Sequence, residues 1–449
     1  MVILDRLTGC CRDGEMLLVL GRPGSGCSTF LKVIANLRKQ YTRIEGDISY
    51  GGIDSKTFLK RYRGQVCYNG EEDQHYSMLT TKQTLEFALK TKTPGQRARE
   101  QTKSDFVNRI LYLLGNMLGL TRQLDTMVGN ASLGGLSGGE RKRLSIAEQM
   151  TTHCTINCWD CSTRGLDAAS ALDYVRSLRL MTDIFSITTI ATLYQASNSI
   201  YNLFDKVLVL DKGYCIYYGP VNSAKSYFES LGFYCPPRKS IPEFMTGLCN
   251  IAEREVRPGF ESIVPRHPSE FQEYYYRSAI YQLMMDDLND YKETIQKENK
   301  ASVFEHTVRE EHQKYAPKRF PYIASFFQQV KALTIRHHYL LASDKKTLFF
   351  RYGMIILQAI VNAGCFFKLP LTPHGAFSRG GALFSCILCN TFISQTELLN
   401  FMVGRPVLEK HRQYALYSPS AFYIAQVITD IPYVLFQGKT NIRLLNCLS

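Results

Sequence analysis

Charge is scarce in this sequence. Asp, Glu, Lys and Arg make up 21% of 449 residues against 45% hydrophobic ones, which excludes a disordered polyelectrolyte and leaves room for two or three folded units. No run of basic residues alternates with aromatics on an RNA- or DNA-binding pattern, so the net charge of +13 does not indicate nucleic acid as a partner. Cations flanking hydrophobic spans on the cytoplasmic side account for part of the excess. No secretory leader is expected where Met1 runs into V-I-L and a charged turn, and no internal repeat organises the chain. The 14 cysteines, several inside apolar runs such as Cys386 and Cys389, read as small buried hydrophobes in a reducing compartment. What is present is unevenly spread. Charges crowd the middle while Thr347 to Gln437 is mostly apolar, the pattern of a soluble domain joined to a membrane portion.

The soluble part alternates short apolar strands with helical stretches, as in a parallel α/β sheet. Strands are expected at 15–20, Thr155 to Trp159, Ser186 to Ala191 and Lys206 to Leu210. Lys82 to Thr121 reads as a helical subdomain interrupted at T-P-G. The expected division is 1–233 for the α/β domain, 234–322 for a polar cytoplasmic connector, 323–345 for an amphipathic helix, 346–437 for three membrane spans and 438–449 for an atypical tail. On the amphipathic helix, Ile323, Phe326, Phe327, Val330, Leu333, Leu340 and Leu341 share one face, with Lys331, Arg336 and His338 elsewhere. A helix packed on the α/β domain is the plainer alternative. The spans lie near 347–369, 380–403 and 419–437, each close to the ~20 residues a bilayer crossing needs. Arg405, Lys410, His411 and Arg412 mark the link after the second span, and therefore the α/β domain, as cytoplasmic. Glu397 and Asp430 are expected to face other helices or lie near a span end.

Three motifs carry chemistry. Gly21 to Thr29, G-R-P-G-S-G-C-S-T, follows a strand and opens a helix, the context of a phosphate-binding P-loop. Gly21, Gly24, Ser25 and Gly26 let backbone amides cradle phosphate, with Thr29 beside them, and Ser28 stands where a hydroxyl ligates Mg²⁺. Cys27 occupies the lysine position, and Lys32, one turn on, is expected to point away. L-S-G-G-E-R-K-R-L-S-I-A-E, from Leu136 to Glu148, places Ser137, Gly138, Gly139 and Glu140 at a helix start, a second anion site. Asp160 ends an apolar strand as a Mg²⁺-holding carboxylate would, but Cys161 follows it where a general base belongs. Cys154, Cys158 and Cys161 have the spacing of an iron–sulfur motif, yet a strand there would point them apart, and His337-His338 is a weak metal pair for the same reason.

With S-T-R-G-L-D, A-T-L-Y-Q-A-S and R-P-V-L-E-K-H-R-Q-Y-A-L-Y-S-P-S-A-F-Y-I-A-Q added, the chain resembles the first cassette of the fungal pleiotropic drug resistance transporters, ABC exporters of the G type with cassette before membrane domain. The resemblance implies a P-loop NTPase cassette with helical subdomain followed by transmembrane helices, using ATP and Mg²⁺. It places Tyr194 at a phosphate-sensing histidine position and Glu71 at the Q-loop glutamine position. It also implies a degenerate Walker site, with Cys27, Cys161, Tyr194 and Glu71 all substituted, that hydrolyses ATP poorly alone, and an intact signature at Ser137 serving a second cassette. The implied partners are that cassette with its membrane half, the lipid bilayer and a small hydrophobic xenobiotic or lipid for efflux at the plasma membrane. The loop Arg405–Ser420 would couple cassette motion to the spans. Against the family pattern, an adenine-stacking aromatic upstream of the loop is missing, only three spans follow, and K-T-N-I-R-L-L-N-C-L-S does not continue the third helix. The alternative expectation is a truncated, non-transporting remnant or a regulatory cassette protein.

Overall fold

A computed structural model describes residues 2–96, 101–130, 133–313, 315–316, 321–366, 373 and 376–447. Side chains at 383, 386, 389–390, 392–403 and 441–447 lie outside that description, and with them the expectations for Cys386, Cys389 and Glu397.

Six strands form the main sheet: β1 (Met16–Gly21), β2 (Val66–Asn69), β3 (Ile156–Trp159), β4 (Thr188–Thr192), β5 (Lys206–Asp211) and β6 (Tyr214–Pro220). Their order is β6-β5-β1-β4-β3-β2, parallel except for the antiparallel edge strand β6. In the register, Leu17 pairs with Ile190 on one side and Lys206 on the other. The unbroken apolar run M-L-L-V-L suits β1, because a central parallel strand is covered on both faces. The expected strands are all present, with β4 starting at Thr188 rather than Ser186. Sequence reading missed β2 and β6. V-C-Y-N is too short and mixed to announce a strand, and β6 is specified by pairing with β5 rather than by its own alternation.

Parallel strands deliver their carboxyl ends to one edge, where α/β proteins hold ligands. There β1 runs into the glycine loop and helix α1 (Cys27–Ile34), while β2, β3 and β4 end at Asn69, Trp159 and Thr192. Beside the sheet stand α2 (Thr81–Lys92), α3 (Lys103–Met117) and α4 (Gly138–Met150). Each opens on a reciprocal capping box, Thr80 with Gln83, Thr102 with Asp105 and Ser137 with Glu140. The break between α2 and α3 falls at the expected T-P-G. A side chain on Gly95 would come within 2.5 Å of the His312 carbonyl oxygen, so only glycine fits. Helix α5 (Ala168–Phe185) follows S-T-R-G-L-D, capped by Asp167.

The segment expected as a connector does not stand apart. Phe244, Phe271, Tyr275, Met284 and Val308 belong to the same buried cluster as β1 and β5. Asp287 pairs with Arg12 at 2.6 Å and with Lys206 at 2.7 Å, and the Tyr275 hydroxyl donates to the Tyr218 carbonyl at 2.7 Å. The boundary at 233 is therefore no break in packing. Apolar residues spaced among charges were enough to seat the helices Pro268–Tyr276 and Ala279–Glu298 against β6.

Helix α6 (Phe326–Ser343) realises the amphipathic segment with a different inner face. It packs along α2 and the last helix, with Leu333 fully buried, while Phe327 is 84% exposed. Arg336 is buried, its guanidinium over the rings of Phe87, Tyr76 and Tyr417 at 4.2, 5.0 and 5.3 Å. Those rings accept a cation as an apolar side chain would be accepted, so Arg336, set apart from the apolar face in the sequence, lies on the buried side of the helix. Helix α7 (Lys345–Cys365) is, among the described residues, the one helix long and apolar enough to cross a membrane, and it leaves Phe349 and Phe350 exposed. The second and third expected spans fall in α8 (Ala376–Gln413, 38 residues) and α9 (Pro419–Cys447). Helix α9 carries Asp430 half-buried and continues beyond 437 through most of the expected tail, contrary to the reading that the tail ends it.

Candidate functional site

Gly24 and Gly26 hold φ of +87° and +99°, a left-handed turn that aims loop amides toward the helix start. Ser25 is buried beneath it and Thr29 half-buried on the first turn of α1. The Cys27 thiol turns inward: its Sγ lies 2.8 Å from where a Gly21 side chain would begin. Burial, followed by the neighbouring Asp160 and Cys161, pushes this thiol up to about 12, so it is neutral at physiological pH.

Ser28 and Asp160, from α1 and the end of β3, are brought together as the sequence implied, Oγ donating to Oδ1 at 3.0 Å. Two partners escaped sequence reading. Thr192 Oγ1 donates to the same Oδ1 at 2.7 Å, and the Tyr68 hydroxyl donates to Oδ2 at 2.7 Å. Asp160 is thus buried yet saturated by three hydroxyls on three elements, a signal visible only once β2, β3 and β4 are known neighbours. A carboxylate and a hydroxyl this close form the hard-oxygen pair that Mg²⁺ takes alongside phosphate oxygens.

Where a general-base glutamate would stand, Cys161 adopts φ +47° and its N–H donates to Thr192 Oγ1 at 2.8 Å. Its thiol is raised by burial and then by Asp160, so the substituted position carries no base. Tyr194 is exposed, its backbone N–H donating to Thr163 Oγ1 at 3.2 Å and its carbonyl accepting from the same hydroxyl at 3.5 Å. Glu71 forms an ion pair with Arg164 of S-T-R-G-L-D, while Lys142 from α4 donates to the carbonyls of Gly70 and Glu71 at 3.2 Å each. A cavity of about 460 Å³ joins Ser28, Lys32, Tyr68 and Asp160 to Lys410 and Tyr414. Lys32 therefore faces this cavity, correcting the expectation that it points away. One helical turn sets it above Ser28 on the same face, and helical side chains lean back toward the helix start.

The signature residues do not line that cavity. Ser137 caps α4, its Oγ accepting the Glu140 N–H at 3.3 Å while Glu140 accepts the Ser137 N–H at 2.9 Å, and both Ser137 and Gly138 face solvent. These bonds from Ser137 hold the Glu140 carboxyl below its usual range. Farther along the same helix, Glu148 is buried against the membrane region: Lys410 Nζ lies 2.6 Å and His411 Nε2 2.9 Å from its carboxylate, and His75 Nδ1 3.5 Å. Glu148 closes the signature stretch, but nothing there marked it as a contact; the signal was a carboxylate in the apolar half of a buried helix. Among the described residues no group of three His, Cys, Asp or Glu is placed to hold a metal ion. Cys154 bonds Asn157 Oδ1 at 2.8 Å and Cys158 is buried inside β3, while His337 packs on Phe422 and His338 is exposed.

Residues 4–164 match the ABC transporter family, and residues 194–352 and 328–439 match two ABC-2 type transporter families. The chain carries an ABC transporter cassette joined to an ABC-2 type membrane region. It is homologous to ABC transporters of the G family. It is 50% identical to ABC transporter G family members 14 and 11 of Dictyostelium discoideum over 97% of this chain and 30% of theirs. It is 43% identical to the ABC multidrug transporter atrF of Aspergillus fumigatus over 96% of this chain and 28% of that protein. The chain thus spans under a third of the length of these curated relatives. The cassette–membrane arrangement makes this a membrane-associated protein.

Proposed function

We propose that this ABC cassette binds MgATP without hydrolysing it appreciably, and that its signature completes the active site of a second cassette in an exporter of the pleiotropic drug resistance type. The observation that carries the reading is the contrast between two ends of one domain. The Ser28–Asp160 oxygen pair is intact, but Cys27 and Cys161 leave it with neither loop cation nor base. The signature at Ser137 is intact, solvent-facing and outside the cavity at Ser28.

In this reading the backbone amides of Gly24, Ser25 and Gly26 bind phosphate, and Ser28 and Asp160 hold Mg²⁺, which neutralises phosphate charge when bound. Tyr68 and Thr192 orient the Asp160 carboxylate. Ser137, Gly138 and Gly139 present a hydroxyl and amides to the nucleotide on the partner cassette. The segment Arg405–Ser420, which forms the end of α8 and the turn into α9, is seated on Glu148 and transmits cassette closure to three membrane-spanning helices of a plasma-membrane exporter, which moves small hydrophobic xenobiotics or lipids. The match to a protein named a multidrug transporter supports that cargo class.

Equilibrium binding of MgATP to the detergent-purified chain tests the reading. Binding that Ser28→Ala abolishes, with negligible steady-state turnover, is expected. Turnover by the chain alone that Ser28→Ala removes would sink it.

A further inference from the structure

We propose that Lys32, rather than the residue at the loop's lysine position, supplies the cation for the terminal phosphate of ATP in this cassette. The proposal rests on reading Ser28 and Asp160 as the nucleotide site. Three observations lead to it.

The loop position itself is lost to this task, since Cys27 is turned inward against Gly21. Lys32 stands four residues after Ser28 on α1, and residues so spaced stack on one helix face. It lines the same cavity as Ser28 and Asp160, with its Nζ 6.0 Å from the centre of the Tyr68 ring, whose hydroxyl bonds Asp160. The ammonium is therefore parked on an aromatic face at the Mg²⁺ end of the site. A four-carbon stem can swing from there to a phosphate.

The charge is also uncommitted. Among the described residues Lys32 makes no ion pair, although acids share its cavity. Glu71 is engaged by Arg164, and Asp160 is filled by Ser28, Thr192 and Tyr68. A cation held only by a π-face exchanges that contact readily for an anion, because charge-assisted bonds to phosphate are the stronger interaction. The plain alternative is a lysine that merely packs on Tyr68 and never leaves it.

Binding of radiolabelled MgATP and ADP to the detergent-purified chain separates the two. Lys32→Gln, and Lys32→Met, which keeps the stem packed on Tyr68, should each weaken MgATP binding roughly tenfold or more. ADP binding should change much less, since it lacks the terminal phosphate, and Lys32→Arg should restore most of the MgATP affinity. Neutral variants that bind MgATP as the parent does, or that lose MgATP and ADP equally, would overturn the proposal while leaving the nucleotide site intact. A parent chain that binds no MgATP at all would overturn the site and the proposal together.

Discussion

Glu148 and His411 meet at 2.9 Å across the joint between cassette and membrane region, Nε2 donating to Oε1. On the other side of the ring, Nδ1 faces the donors Arg336 Nη1 at 3.2 Å and Tyr417 OH at 3.1 Å. A ring with a carboxylate at one nitrogen and donors at the other is a neutral imidazole with its proton on Nε2. Signature helix, connecting helix α6 and the end of α8 are tied at this one side chain.

Neutralising Glu148 should loosen that joint. Burial disfavours its charge, but Lys410, His411 and His75 more than offset this and hold its carboxyl well below the usual range. Glu148→Gln leaves the half-buried Lys410 without its counter-charge, and breaking a buried pair costs about 3–5 kcal/mol, an upper bound here because Lys410 also borders the cavity. A clear fall in melting temperature of the detergent-solubilised chain is expected. A melting curve superimposable on the parent's would show that the pair holds nothing together.

Acid should act on the same place. Burial first, then Arg336 and Lys410, bring His411 down to about 4 from the usual 6.5 despite Glu148, and burial brings His75 down to about 3. The unfolded chain then binds these protons more readily than the folded one. Stability is fully present above the unfolded value of 6.5 and is lost as pH falls through the folded values. Melting temperature should drop steadily as the solution is acidified from neutrality, and His411→Gln should flatten that slope. An equal slope in parent and variant would acquit His411.

Much of this molecule was legible in its residues, and the illegible parts share a cause. The glycine loop, Asp160 and the signature announce themselves because their chemistry needs fixed residue types at fixed spacing. Tyr68 and Thr192 are not so marked: they matter only because β2 and β4 flank β3, a fact of sheet order rather than sequence. Arg336 was set apart from the apolar face, since charge normally seeks water, and the three rings that receive it come from segments distant in the chain. Glu148 was quoted as the last letter of a motif while its partners lay more than two hundred residues away.

Gly95 offers a test of how firmly the helical subdomain is fastened to the segment after 300. Its N–H donates to the Glu311 carbonyl at 2.9 Å, and a methyl group there would come within 2.5 Å of the His312 carbonyl oxygen. Because the obstacle is backbone, it cannot rotate aside. Gly95→Ala should destabilise the chain by roughly 1–3 kcal/mol. It should also raise proteolytic cleavage between α2 and α3. An unaffected cleavage pattern and melting temperature would mean the contact yields freely.

Ser137 separates folding from function within one residue. Its Oγ caps α4, so Ser137→Ala should cost about 1 kcal/mol of stability through the lost cap. Aspartate caps as well as serine does, so Ser137→Asp should keep the fold while placing a negative charge where the partner's nucleotide phosphate would lie. Assembled with a catalytically complete second cassette, the Ser137→Asp chain should lower ATP turnover roughly a hundredfold or more, the scale expected when a preorganised donor to a transition-state anion is removed. MgATP binding at Ser28 and Asp160 on the same chain should be unchanged, because Ser137 does not line that cavity. Full turnover with Ser137→Asp would mean that this signature serves no nucleotide, whereas loss of binding at Ser28 would mean that the two faces are not independent.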